Sequence, residues 1–262
     1  MTRIIMHGCN GHMGRVITDI CAQDEEVQIV AGVDPYTAVD NDYPVFEKIE
    51  DCDVEADAII DFSNAAAVDA VVDYSVSKKI PVVLCTTGLT EEQIAKVEKA
   101  SDSVAVLRSA NMSLGINTLM ELLKKAAKVF SPAGFDIEIV EKHHNQKLDA
   151  PSGTAIALAD SINEEMDNQF EYVYDRSQVR KKRDKKELGI SAVRGGNIVG
   201  EHDVIFAGQD EVITFRHTAY SKAVFAKGAV EAAKFLATKT VGFYDMADVI
   251  AALPLTCHHN TY

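Results

Sequence analysis

The residues with the clearest chemical potential lie in one stretch that begins at His143 and reads HHNQKLDAPSGT. His143 and Lys147 can donate protons, and His144 adds a second imidazole. The Pro-Ser-Gly-Thr segment opens an apolar helical pattern, so the backbone N–H groups of Gly153 and Thr154 would lie at a helix N-terminus, where anions bind. The stretch therefore predicts hydride and proton transfer to a carbon or C=N group of a carboxylate-bearing substrate.

The pattern just before this stretch indicates how the two histidines are placed. Phe135–Lys142 alternates as a strand does and would present His143 and His144 at its C-terminal end. Adjacent side chains on a strand point to opposite faces, which disfavours a shared metal ion. One histidine would act as the acid and the other would contact the substrate. Alternation does not decide which of them faces it.

A hydride donor is predicted at the other end of the chain. Arg3–His7 is a short apolar strand, followed by a turn that contains Gly8, Gly11 and Gly14 and then by apolar residues at helical spacing. Strand, glycine turn and helix in this order bind dinucleotide pyrophosphates. The spacing is GxxGxxG and not the commoner GxGxxG, so an ordinary glycine-rich turn is the alternative.

The next strand strengthens the dinucleotide interpretation. Val27–Val33 reads as a buried strand that ends at Asp34, where a carboxylate can bind the ribose 2'-OH of NAD. Pro35 and Tyr36 follow, with no arginine to accept a 2'-phosphate. We expect NADH to be preferred, with NADPH possible through a Lys or Arg from elsewhere in the fold. The alternative is that Asp34 only ends the strand.

Strands and helices continue to alternate along the first half of the chain. Thr90 and Gln93 form a predicted capping box. The further strands are Ala56–Asp61, Pro81–Cys85 and Val104–Arg108, with helices at 65–78 and from Thr90 to about Ala100. The pattern predicts an α/β fold with a Rossmann-type, doubly wound parallel sheet whose ligands bind beyond the strand C-termini.

The second half of the chain predicts an α+β domain built on a mixed sheet. Its predicted elements are helix Leu114–Phe130 and strands Ile190–Val199, His202–Ala207 and Glu211–His217, followed by helices Val224–Leu236 and Phe243–Ile250. We therefore predict a dinucleotide-binding domain at 1–112 plus 221–262 and a substrate-binding and oligomerisation domain at 113–220. Arg194 and His217 are secondary polar candidates.

Composition limits the possible partners and compartment. The net charge of -14 argues against nucleic-acid binding, so the partner is expected to be a small molecule. Five cysteines in no CxxC pair, with no targeting or membrane-spanning segment in the sequence, favour a cytoplasmic protein. The basic run Arg180–Lys186 is either a solvated loop or a lid that attracts a dicarboxylate.

The segment Glu138–Ala155 resembles the signature of dihydrodipicolinate reductases. Matching segments occur at the glycine turn, at 61–63, 85–88, 110–112 and 193–202, so the resemblance covers nearly the whole chain. It implies reduction of 4-hydroxy-tetrahydrodipicolinate to tetrahydrodipicolinate with NAD(P)H and loss of water, in diaminopimelate and lysine biosynthesis. It also implies a homotetramer built through the substrate domain.

The resemblance also implies roles for single positions. His143 would be the proton donor and acceptor, Lys147 the proton donor, and His144, Gly153 and Thr154 the contacts to the substrate carboxylates. The implied cofactor contacts are Gly8, Cys9, Asn10, Gly11, His12, Met13, Asp34, Cys85, Thr86, Thr87, Ser109, Ala110, Asn111 and Met112. Three positions depart from the family pattern: Cys85 replaces a usual glycine, Met112 a usual phenylalanine, and Pro35 an arginine that NADP-using members often have.

Two rival functions are weighed against this one. A semialdehyde dehydrogenase would need a nucleophilic cysteine or a phosphate site beside His143, and the sequence contains neither. A redox sensor that binds NADH without turnover shares the cofactor motif, and would differ in consuming no NADH with any dicarboxylate.

Overall fold

A computed structural model describes residues 1–109 and 111–253 of the chain. Two compact units can be distinguished. The first unit comprises Met1–Leu114 and the chain from Ala223 onwards, and the second unit comprises Gly115–Lys222. Ala110, a predicted cofactor contact, lies outside the described residues. No helix in the described ranges is both long enough and apolar enough to cross a membrane.

The secondary structure alternates strands and helices in the first unit and becomes richer in strands in the second. The strands are β1 (Thr2–His7), β2 (Val27–Val33), β3 (Val45–Phe46), β4 (Ala58–Asp61), β5 (Val82–Leu84), β6 (Ala105–Arg108), β7 (Asp136–His143), β8 (Glu171–Val173), β9 (Glu187–Arg194), β10 (Gly200–Ala207), β11 (Val212–Ala219) and β12 (Gly242–Tyr244). The helices are α1 (His12–Cys21), α2 (Val68–Lys78), α3 (Glu91–Ala100), α4 (Leu114–Phe130), α5 (Gly153–Glu165), α6 (Ala223–Leu236) and α7 (Met246–Ala252).

The first unit is built on a parallel sheet with the strand order β12-β6-β5-β4-β1-β2-β3. Side chains of β1 alternate between its two faces. Ile4 and Met6 pack with α1, α6 and α7, whereas Ile5 packs with α2 and α3. Apolar layers on both faces are what a buried parallel sheet requires, and the predicted doubly wound α/β fold is confirmed.

The second unit contains a mixed sheet with the order β11-β10-β7-β9-β8. Strand β7 is parallel to β9 and antiparallel to β10, which also pairs with β11. Helices α4 and α5 cover one face, where Leu123 and Leu158 pack in the same core as Ile137 and Ile139. The predicted mixed sheet is confirmed, and β7 delivers the histidine stretch from its centre.

Local signals predicted several boundaries correctly. Thr90 accepts a hydrogen bond from the Gln93 N–H and donates its own N–H to the Gln93 side chain, both at 3.2 Å, so the capping box is confirmed. Helix α4 begins and ends at the predicted residues. Asn64 caps a 3₁₀ turn that precedes α2, so the α-helix itself begins at Val68 and not at residue 65.

Two predicted elements were wrong. Phe243–Ile250 is not one helix, because Phe243 pairs with Val106 as an edge strand and Asp245 then caps α7 with a capping box that includes Asp248. The predicted strand Ile190–Val199 ends at Arg194, where the chain turns through Gly196 at φ +51°. Strands β3 and β8 were not predicted, since two or three residues carry no periodicity.

Candidate active site

The stretch that begins at His143 links the end of β7 to the start of α5 in the second unit. Ser152 is the N-cap of α5, and its hydroxyl accepts a hydrogen bond from the Ala155 N–H at 3.1 Å. Pro151 precedes this cap and lies outside the helix. The helix therefore starts at Gly153, so the first N–H groups of α5 belong to the predicted anion site.

His143 lies on the buried face of β7. Burial alternates along this strand, and Ile137, Ile139, Glu141 and His143 all point inward. His143 is only 8% exposed, and its Nδ1 lies 2.6 Å from a carboxylate oxygen of Glu141. His143 therefore faces the buried side of β7, whereas His144, one residue later, is half-buried. Which of the two contacts the substrate stays a prediction.

Glu141 is fully buried, and its neighbours stabilise its ionised form. Burial alone would raise the pKa of Glu141, but hydrogen bonds from Arg194 and His143, with the Ser152 N–H, outweigh it and hold that pKa below its usual value. Arg194 donates to both carboxylate oxygens, at 2.8 and 2.7 Å. A buried carboxylate held in this way marks a polar centre inside an otherwise apolar face.

Lys147 lies at the other side of the same turn, and its partner is Asp149. The Lys147 Nζ lies 2.9 Å from an Asp149 oxygen, and the lysine side chain is 21% exposed. The hydrogen bond from Lys147 lowers the pKa of Asp149 against the opposing effect of burial, and the Gly153 N–H adds to the lowering. A carboxylate of the chain itself thus contacts Lys147, the predicted proton donor, and Gly153, one of the predicted contacts to the substrate carboxylates.

The remaining predicted substrate contacts lie close by in sequence. The His144 carbonyl accepts the Lys147 N–H at 3.2 Å, which closes the turn. Gly153 is exposed, and a Cβ built on it would meet no atom within 4 Å. Thr154 follows in the first turn of α5 and is half-buried.

His202 and His217 form a second pair of imidazoles, on β10 and β11. They are direct partners across the antiparallel pair, and His202 accepts or donates one hydrogen bond at 3.0 Å to the Ser152 hydroxyl. Burial, together with the charges of His143 and Lys147, lowers the pKa of His202 to about 4 against the opposing charge of Glu141. Burial also lowers the pKa of His217. Both rings are therefore neutral at physiological pH, and His202 lies near both predicted proton donors.

The basic run Arg180–Lys186 is partly neutralised by acidic residues of the sheet. Arg183 donates to Asp136 at 2.8 Å and to Glu138 at 2.9 Å, and Lys181 lies 3.3 Å from Glu187. These ion pairs tie the run to β7 and β9, an anchoring that neither the solvated-loop nor the lid interpretation included.

In the first unit, the glycine turn follows β1 with the geometry that a pyrophosphate needs. Gly8 has a φ of +83°, and a Cβ there would lie 2.5 Å from the Phe62 carbonyl oxygen. A Cβ on Gly14 would lie 2.2 Å from the Gly8 carbonyl oxygen. Gly11 is the N-cap of α1, so the turn and the helix start form one backbone cradle. The residues present fit a dinucleotide.

Asp34 follows β2 beside this turn. Its carboxylate accepts the Asn10 N–H at 3.0 Å and the Tyr36 N–H at 2.9 Å. A cavity of about 490 Å³ opens here. Its acidic lining residues are Asp34, Glu47 and Glu50, and its lysine is Lys48. Its other walls come from His7, Gly8, Gly11, Val33, Pro35, Ile49, Phe62, Ser63, Asn64, Ala67 and Ala70. Three acids and one lysine surround the predicted ribose site.

The other predicted cofactor residues divide into two groups. Cys9, Asn10, Met112 and Asn111 are buried, Thr86 is buried after β5, and Met13 packs against the core. His12 and Thr87 are exposed, while Cys85 and Ser109 are half-buried. Because β1, β4, β5 and β6 are neighbours, their loops lie along one sheet edge, but residues 85–87, 109, 111 and 112 do not line the cavity beside Asp34.

Two buried carboxylates were missed as functional candidates. Asp61 at the end of β4 is fully buried and binds His7, Ser63 and Thr86, each at 2.6 Å. It links three strand-end loops of the first unit. Glu141 could have been found, because the alternation that makes β7 a strand also places it on the same face as its isoleucines. No signal in the sequence alone reveals the partners of Asp61.

In the described part of the chain, no cluster of three or more His, Cys, Asp or Glu side chains is arranged to hold a metal ion.

Family models match the chain twice: dihydrodipicolinate reductase N-terminus over residues 2–112, and dihydrodipicolinate reductase C-terminus over residues 115–250.

Named relatives match over nearly their full length. The 4-hydroxy-tetrahydrodipicolinate reductase of Caldanaerobacter subterraneus subsp. tengcongensis is 52% identical over 95% of this chain and 98% of that protein. The enzyme of the same name from Clostridium tetani is 48% identical over 94% and 96%. Among solved structures, a dipicolinate-bound dihydrodipicolinate reductase from Paenisporosarcina sp. TG-14 superposes with a TM-score of 0.79 at 24% identity, over 95% of this chain and 99% of that one.

Proposed function

The chain belongs to the dihydrodipicolinate reductase family, and we propose from this premise that it reduces 4-hydroxy-tetrahydrodipicolinate to tetrahydrodipicolinate with NADH as the preferred donor. It is an NAD(P)H-dependent oxidoreductase of lysine and diaminopimelate biosynthesis. The observation that carries the proposal is the Lys147–Asp149 pair beside the start of α5, where the chain already binds a carboxylate. Nothing in the comparisons supports a sensor without turnover.

The proposed reaction forms a C–H bond from the hydride and breaks the C–O bond of the substrate hydroxyl, which leaves with one proton as water. The bound dinucleotide supplies the hydride. His143 supplies and recovers the proton at Nε2, and Lys147 provides a cationic proton donor at Nζ. His144 and the N–H groups of Gly153 and Thr154 bind the substrate carboxylates, with the helix dipole behind them.

The preference for NADH is supported by charge. A 2'-phosphate would enter a cavity lined by Asp34, Glu47 and Glu50 against the single cation Lys48. Asp34 is held in place by two backbone N–H groups, so it cannot withdraw easily. Lys48 is the residue through which NADPH would still bind.

The two units are proposed to divide the work. The first unit, with the glycine turn, binds the dinucleotide, and the second unit binds the substrate. The family resemblance supports assembly of the second unit into a homotetramer, which sedimentation equilibrium measures directly. The unpaired cysteine spacing supports a cytoplasmic location.

The test is the loss of absorbance at 340 nm with freshly generated substrate, with NADH and NADPH in parallel. We expect His143→Ala to lower kcat by about 10²- to 10⁴-fold, because it removes a general acid. Lys147→Ala should lower kcat/KM by about 10- to 100-fold through a lost charge-assisted hydrogen bond. Lys124→Ala is the matched control, since Lys124 is ion-paired within α4 to Glu121.

NADH titration of each variant, followed by nicotinamide fluorescence, separates binding from turnover. Unchanged NADH affinity with lost turnover fits the proposed roles. Full activity of both the His143 and Lys147 variants contradicts them, and a wild-type protein that binds NADH without consuming it contradicts the proposed function itself.

A further inference from the structure

The polar centre around Glu141 is unusual for the face on which it lies. Glu141 is 0% exposed and follows Ile137 and Ile139 on the same side of β7, in the core that α4 and α5 cover. Burying an unpaired carboxylate costs several kcal/mol or more, so such a residue requires a full set of partners. Its partners determine what it can do.

Four hydrogen bonds converge on the two oxygens of Glu141. Oε1 receives Arg194 Nη2 at 2.7 Å and the Ser152 N–H at 3.0 Å. Oε2 receives Arg194 Nη1 at 2.8 Å and contacts His143 Nδ1 at 2.6 Å. An ionised carboxylate only accepts, and the other three contacts are certain donors. His143 must therefore donate through Nδ1–H.

Arg194 is itself fixed, which makes this arrangement rigid. Its Nη1 donates to the Val193 carbonyl at 2.8 Å and its Nη2 to the Asp149 carbonyl at 2.7 Å. The arginine charge balances the charge of Glu141. His143 can then change between neutral and protonated forms without leaving an unbalanced buried anion.

The opposite nitrogen of the ring, Nε2, points toward Gly200. A Cβ on Gly200 would lie 3.1 Å from Nε2, a distance at which one of the two groups would have to move. His202 lies edge-on to the ring, with centroids 5.2 Å apart. Glycine at position 200 thus leaves the space that Nε2 needs.

We propose that Glu141 is a positioning residue that holds His143 in its Nδ1–H tautomer, so that Nε2 is the nitrogen that exchanges the proton of the reaction. The proposal rests on the proposed role of His143. Glu141 itself need not touch the substrate. In this arrangement the neutral ring presents a bare Nε2, and the protonated ring presents Nε2–H.

A purely structural role for Glu141, as an anchor for Arg194 and the start of α5, is the alternative. Glu141→Gln separates the two. Its oxygen can still accept from Arg194, but its NH₂ group would donate to His143 Nδ1 and force the Nε2–H tautomer. The matched control is Glu138→Gln: Glu138 lies three residues earlier on β7 and also binds an arginine, Arg176, at 2.8 and 3.0 Å.

The first measurement is the two-bond ¹H–¹⁵N spectrum of the imidazole rings, with His143 assigned from the spectrum of His143→Gln. The wild type should show Nδ1 protonated and Nε2 bare at high pH, and Glu141→Gln should show the other tautomer or a mixture. The second measurement is turnover. Glu141→Gln should lower kcat about 10²-fold or more with a change in KM below about threefold, and Glu138→Gln should keep wild-type kcat.

Each outcome decides one question. A wild-type ring protonated at Nε2 overturns the positioning proposal without any assay, even if Glu141→Gln fails to fold. An active Glu141→Gln beside an inactive His143→Ala overturns it while the proposed function stands. An active His143→Ala overturns the proposed role of His143, whatever the tautomer. Equal losses in the Glu141 and Glu138 variants assign Glu141 a structural role.

Discussion

Replacing Asp34 by asparagine should shift the cofactor preference from NADH toward NADPH. The Asp34 carboxylate lies in the cavity beside the glycine turn and accepts two backbone N–H groups. Asparagine has nearly the same shape and keeps one acceptor oxygen, so the turn at Asn10 can remain closed. The substitution removes one negative charge from a cavity that holds three acids and one lysine.

The magnitude follows from Coulomb's law. A 2'-phosphate about 5 Å from Asp34 is repelled by about 0.8 kcal/mol per unit charge in water and by about 3 kcal/mol at an effective dielectric constant near 20. Because Asp34 is half-buried, we take an intermediate value of about 2 kcal/mol for the repulsion of bound NADPH that Asp34→Asn removes. NADH loses one charge-assisted hydrogen bond to its ribose, about 1 kcal/mol. Together these terms lower the NADH-to-NADPH ratio of kcat/KM about 100-fold.

The assay measures kcat/KM for both nucleotides at low and high salt. The wild-type preference for NADH should weaken with salt, because a partly exposed repulsion is screened. Asp53→Asn is the control, since Asp53 is an exposed aspartate of the same unit that does not line the cavity. A ratio unchanged in Asp34→Asn, or changed equally by the control, would refute the electrostatic reasoning.

Two further predictions concern stability and the glycine turn. The pKa of His202 is about 4 in the folded protein and about 6.5 in the unfolded chain. Below pH 6.5 the unfolded chain takes up a proton that the folded protein does not, so the free energy of unfolding falls as the pH is lowered. The expected decrease is about 2 kcal/mol at pH 5. The loss, measured by urea unfolding, should shrink in His202→Gln and persist in the exposed-site control His12→Gln. Gly14→Ala should weaken NADH binding about tenfold or more by fluorescence titration, because its Cβ meets the Gly8 carbonyl oxygen. Gly195→Ala, which meets no atom within 4 Å, should bind NADH normally.

The parts of the fold that local physics determines could be predicted from the sequence. The Thr90 capping box and the amphipathic helix α4 depend on residues three or four positions apart, and both were predicted correctly. Strand β12 could not be predicted in this way, since its existence depends on pairing with β6 across more than a hundred residues. Asp245 and Asp248 carried a capping signal for α7 that was overlooked.

The candidate site was predicted as a list of residues, but its electrostatics were not. Glu141 and Arg194 are 53 positions apart, and only the pairing of β7 with β9 brings them together. The same holds for the basic run, where Arg183 binds Asp136 at a separation of 47 residues. Single-sequence patterns report neighbours along the chain, whereas buried ion pairs are made between strands.

Asp149 affects how the proposed substrate site would bind a carboxylate. Its carboxylate already contacts Lys147 Nζ and the backbone N–H of Gly153 at the start of α5. In the proposed reaction an incoming carboxylate therefore replaces an internal one, and binding is an exchange between two anions of equal charge. The measured affinity would report the difference between two similar contacts, and ligands with one carboxylate would gain little from the lysine. Discrimination for a dicarboxylate would then depend on the contacts that its second carboxylate makes.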